Sequence, residues 1–143
     1  MIAPQDPSLK KIPGTFQVFL MALVLCTGID PDLLETRRLI LERAGHRVVT
    51  ATNEKAATDA CNQQSFDLAV IGQMISPRVK LRVFALIREV CSSARILELY
   101  APHMGRTLEE ADYWLAVPTD DPQELADCVA ALVADKTAGL PQS

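Results

Sequence analysis

Apolar residues fall in short runs separated by amphipathic stretches from Ala22 onward. The run 22–26, ALVLC, is continuous and apolar, as a strand buried on both faces of a parallel sheet must be. The next stretch, DPDLLETRRLILERAG, has helical spacing. Asp30 stands at the N-cap, Pro31 at the first helical position, and Gly45 suits the left-handed residue past the C-terminus. Leu33, Leu34, Arg37, Ile40, Leu41 and Ala44 share that spacing, which directs Leu33, Ile40, Leu41 and Ala44 to the core. A second, more mixed strand over 46–52 has the pattern of a sheet edge. Asn53 then caps a helix over 54–63 that buries Ala56, Ala57, Ala60 and Cys61.

A third strand covers 66–72, followed by the loop QMISP and a helix over 78–92 carrying Val79, Val83, Phe84, Ile87, Val90 and Cys91. Strands over 94–101 and 113–118 and a helix over 122–135 complete the alternation. The last helix turns Leu125, Cys128, Val129, Leu132 and Val133 inward. Strands alternating with helices over short connections require a parallel sheet with right-handed crossovers. Five strands with helices on both faces imply a flavodoxin-like three-layer α/β/α sandwich, strand order 2-1-3-4-5. Residues 15–135 form this domain, 1–14 a flexible extension, and 136–143 a tail that frays.

The N-terminus resembles an export signal, with Lys10 and Lys11 before the apolar stretch from Phe16 to Cys26. That stretch is too short to span a bilayer, and Leu25 is too large for a cleavage box ahead of Cys26. Cleavage there would also delete the first strand. Met21 offers a plainer start for a domain that opens with a strand, and Phe16 to Leu20 can lengthen that strand.

Composition removes several function classes. Hydrophobic content of 49% and charged content of 22% mark a globular chain. A net charge of −4 argues against nucleic acid, whose backbone needs clustered Lys and Arg. Aromatics at 5% argue against a stacking platform. Arg37 and Arg38 on one helix, and Arg78, Lys80 and Arg82 on another, are expected to be solvated faces. Cys26, Cys61, Cys91 and Cys128 lie about one element apart with no CxxC pair, so they are expected as reduced core residues of a cytoplasmic protein, not as metal ligands. Neither GxGxxG nor a GKS/T loop is present, so no cofactor is expected; Ser76, Ser92 and Ser93 lack a GxSxG elbow, and His103 is expected in a solvated loop.

The string LVLCTGIDPDLLETRRLILERAGHRVVTATN, with its D-P opening and L-x-x-A-G-H-x-V turn, resembles the first strand, first helix and second strand of response-regulator receiver domains. FDLAVIGQMISP is similar to their third strand and the loop that ends in proline. The resemblance covers roughly residues 22–135. It implies a phosphoacceptor aspartate at the end of the third strand, an acidic pair after the first strand for Mg²⁺, a Ser or Thr after the fourth, and a Lys after the fifth. This sequence departs at each position. Gly72 stands where the aspartate belongs, and Gly28 and Ile29, or Thr27 and Gly28, replace the acidic pair. Asp30 is the one acid left and matches a helix cap better than a metal ligand. Tyr100 or Ala101 replaces the hydroxyl, and Val117-Pro118 replaces Lys-Pro.

The resemblance therefore implies a degenerate receiver that lacks phosphoryl transfer. The expected role is a non-enzymatic module that binds a protein partner or a second copy of itself, with no nucleic acid and no membrane. The alternative is a flavodoxin-like domain that holds a small ligand in the vacated cleft of Thr27, Gly28, Gly72 and Tyr100. The span 102–112, PHMGRTLEEAD, opens with Pro and carries a Gly, so the helix between the fourth and fifth strands is expected to be shortened or absent. Tyr100 and Tyr113 are expected to pack amphipathic rings at the sheet edge. Glu98 falls inside an apolar strand, where an unpaired carboxylate is costly. An ion pair with an Arg or a partly covered edge position is expected there, with a carboxylate of raised pKa beside the cleft as the alternative.

Overall fold

In the computed structural model, which describes residues 21–139, the apolar runs become five strands and the amphipathic stretches four helices. In chain order these are β1 (Leu23–Thr27), α1 (Pro31–Arg43), β2 (Arg47–Ala51), α2 (Glu54–Gln63), β3 (Leu68–Ile71), α3 (Pro77–Val90), β4 (Arg95–Tyr100), β5 (Tyr113–Ala116) and α4 (Gln123–Gly139). All neighbours pair in parallel, in the order β2-β1-β3-β4-β5. This is the flavodoxin-like arrangement expected of the pattern. The extension over 1–14 and the lengthening of β1 by Phe16 to Leu20 lie outside the described residues, as do 140–143.

Local chemistry sets the helix starts. Asp30 accepts from the amides of Asp32 and Leu33, Asn53 from Ala56, and Ser76 from Val79, so the first three helices each begin on a side-chain cap. Pro77, one residue earlier than the expected start, opens α3 directly after Ser76. Gly45, at φ +102°, turns the chain out of α1 in the left-handed region. The last helix continues to Gly139, past the Asp135 end that the periodicity indicates.

Two cores flank the sheet. On one face α1 and α4 supply Leu34, Leu41, Leu125, Val129 and Leu132 against Val24, Cys26, Val70 and Leu99. On the other, α2 and α3 supply Ala57, Cys61, Val83 and Ile87 against Leu25, Ala69, Ile71 and Ile96. The first helix is rotated relative to its expected face. Leu34 and Arg37 are buried, Leu33 and Ile40 only half-buried, and Ala44 is exposed because the chain is already leaving the helix there. Residues 101–112 contain no helix, and Leu108 and Ala111 from this loop fill the second core in its place.

Candidate functional site

Parallel strands end together, so the residues just beyond β1 and β3 meet at one edge. Thr27 donates its hydroxyl to the Val70 carbonyl at 3.1 Å, which ties the end of β1 to β3. The Gly72 amide donates to the Thr27 carbonyl at 3.0 Å and the Gly28 amide to Ala51 at 3.1 Å. This closure leaves no room for a side chain at position 72. A Cβ there would stand 2.8 Å from the Thr27 carbonyl oxygen and 3.3 Å from an Arg37 guanidinium nitrogen.

Arg37 is the residue that sequence reasoning misplaced. It is 7% exposed, not solvated, and reaches from α1 to donate to Gln73 Oε1 at 2.6 Å. Burial pulls its guanidinium below the usual arginine range, while Cys26 and Asp30 act in the opposite direction. Its position in the apolar stripe of α1 was the available clue. Where the resemblance implies a lysine from the fifth strand, the cation of this cleft comes from the first helix.

Asp30 is the carboxylate of the cleft, and its Oδ1 is occupied by the Asp32 amide at 3.0 Å. One capping carboxylate beside a guanidinium is a donor set that does not fit Mg²⁺, which takes carboxylates and water in a near-ideal octahedron. Among the described residues, no group of three His, Cys, Asp or Glu could hold a metal ion.

The expected cleft residues are divided among several surfaces. Gly28, Asp30, Gly72, Gln73 and Arg37 line a hollow of about 10 Å³, and Thr27 and Gly28 line another of about 30 Å³. Each has room for a water or two. Val117 lines a larger hollow of about 200 Å³ between α1 and the segment entering α4, and Arg37 and Gln73 border it too. Tyr100 and Ala101 border none of these. Tyr100 is half-buried, with the Arg106 guanidinium 5.8 Å from its ring, and Ala101 accepts the amides of Met104 and Gly105 in a turn. Tyr113 is 47% exposed at the β5 edge, and His103 is exposed in the loop.

Lys80 and Glu98 also differ from expectation. Glu98 is neither at an edge nor paired with an arginine. It is fully buried in β4 and meets the Lys80 ammonium at 2.7 Å, so Lys80 is buried as well. Lys80 also donates to the Leu99 carbonyl at 3.0 Å, and Glu98 accepts the amides of Thr107 and Leu108 at 2.9 and 2.8 Å. The pair therefore fastens the 101–112 loop over the sheet, with the Trp114 indole donating to Leu108 at 2.8 Å. The four cysteines are free, with Cys26, Cys61 and Cys91 buried and Cys128 half-buried. No helix of the described residues is long and apolar enough to cross a membrane.

No protein-family model matches the sequence, and no curated protein matches it. Solved structures do match. A CheY-like response regulator receiver domain protein from Methanospirillum hungatei superposes with a TM-score of 0.71 at 14% identity, covering 81% of this chain and 97% of its own. A response regulator from Chloroflexus aurantiacus gives 0.68 at 23% identity, covering 80% and 98%. The response regulator TrrA of Thermotoga maritima, solved in complex with Mg²⁺ and BeF, gives 0.66 at 23%, covering 78% and 99%. TrrA has also been solved in complex with the histidine kinase ThkA. At these identities the likeness speaks for the fold: this chain has the CheY-like receiver fold of two-component response regulators.

Proposed function

We propose that this protein is a receiver-fold interaction module that acts without phosphorylation and is not itself an enzyme. The observation that carries the reading is Gly72. It has no carboxylate, and the Thr27 carbonyl lies 2.8 Å from where any Cβ would stand. Arg37 supports it, because a guanidinium faces the place where the fold otherwise gathers carboxylates around a divalent cation. The partner is another protein or a second copy of this chain, as TrrA is held by a histidine kinase. The expected compartment is the cytoplasm, in keeping with four free cysteines. A ligand between Thr27, Gly28 and Gly72 is disfavoured by hollows of about 30 and 10 Å³.

The test is exposure of the purified protein to Mg²⁺ with beryllofluoride and, separately, to acetyl phosphate, followed by amide NMR and intact mass. The expected result is no added phosphoryl mass and no Mg²⁺-dependent shift at Thr27, Gly28 or Gly72. One added phosphoryl group would overturn the reading.

A further inference from the structure

Arg37 is a buried cation on which Asp30 acts electrostatically without forming an ion pair. More than nine-tenths of its surface is covered, and its one hydrogen bond among the described residues goes to the neutral amide oxygen of Gln73. A guanidinium carries five N–H donors, and among the described residues Gln73 is the one protein acceptor it meets. Among the described residues no carboxylate forms an ion pair with it, an arrangement that is costly in a dry site unless something completes it.

The hollow of about 200 Å³ reaches this guanidinium from the side of β5 and α4. No acidic residue lines it. Gln73 turns its oxygen to Arg37, which leaves the amide nitrogen of the same side chain as a second donor. The rest of the wall is largely apolar, with Leu33, Ile40, Leu99 and Leu115 among it. A site with a forked cation at one end and aliphatic walls beyond is matched to a carboxylate that carries an apolar body. Inorganic phosphate satisfies the cation but leaves those walls uncovered.

We propose that Arg37 and Gln73 anchor a small organic carboxylate with an aliphatic or aromatic body in the hollow between α1 and the segment Val117–Pro122. This site lies beside the emptied phosphorylation position and needs neither Mg²⁺ nor a phosphoryl donor, so its test is independent of the reading above.

Hexanoate and benzoate are titrated into the full chain without Mg²⁺ at constant ionic strength, followed by amide NMR, with hexanol and inorganic phosphate as comparison probes. The expected result is saturable shifts centred on Thr36, Arg37, Gln73 and Thr119 with either acid, and weaker binding of both comparison probes. Arg37→Met is expected to fold, with a Tm at or above that of the wild type, and to lose binding by about ten-fold or more. Gln73→Leu keeps the cation and is expected to weaken binding several-fold, which preserves the test if Arg37→Met does not fold. Absence of saturable shifts, equal binding by hexanol or phosphate, or unchanged binding in the variants would overturn the proposal.

Discussion

Lys80 and Glu98 form an ion pair at 2.7 Å in which the lysine side chain is 4% exposed and the glutamate fully covered. Removing one partner leaves a charge stranded in the core, which costs about 3–5 kcal/mol. Lys80→Met and Glu98→Leu are each expected to lose that much in urea unfolding. The double variant should lose clearly less than the sum. Additive losses would show that the two charges are not coupled.

The same pair predicts a local effect. Glu98 holds the amides of Thr107 and Leu108, so Glu98→Leu should speed hydrogen exchange at those two positions more than Lys80→Met does. Equal protection in the two variants would mean that the loop is held by Trp114 and its neighbours instead.

Gly72 is expected to tolerate nothing larger. Gly72→Ala pushes a methyl group onto the Thr27 carbonyl, an overpacking cost of about 1–3 kcal/mol measurable by thermal or urea unfolding. Gly72→Asp restores the acid in name only, and intact mass after acetyl phosphate should show no phosphoryl group.

His46 sets a pH dependence. It is buried, its Nδ1 accepts the Ala22 amide at 3.1 Å, and burial lowers its pKa from the ordinary 6.5. Below about pH 6.5 the unfolded chain takes up a proton that the folded chain resists, so stability falls as the pH drops from that value to the folded pKa. Urea unfolding from pH 8 to 5 should show this loss in the wild type. The corresponding part should be missing in His46→Gln, and an NMR titration should place the ring below 6.5.

The cysteines should be slow to react. Burial pushes the Cys26 thiol up to about 12, and Cys61, beside Cys91, up to about 12 as well. A thiol reagent at neutral pH is expected to modify the half-buried Cys128 first, and all four only in denaturant. Rapid native modification of Cys26 would contradict its packing beneath α1.

The fold was legible because its determinants are local. Apolar runs, the caps at Asp30 and Asn53, and the glycine at position 45 act within a few residues, and the structure uses them as the pattern indicates. The site was legible only in part. That Gly72 carries no acid is visible in the sequence, but the Thr27 carbonyl beneath it is not, because two strands must pair to bring it there. Lys80 and Glu98 are 18 positions apart, and a lysine on an amphipathic helix gives no sign of turning inward until its partner is placed. Arg37 occupied the apolar stripe, yet its charge outweighed its position in the reading.

The absence of a helix over residues 101–112 has a consequence for recognition. A partner moulded to a helix between β4 and β5 would meet here a pinned loop, with Arg106 lying 4.5 Å from the Trp114 ring. The two surfaces cannot be superimposed, so a protein that grips such a helix has nothing to grip on this chain. The shape of this margin is therefore set by the loop itself, and whatever binds here must be shaped to it.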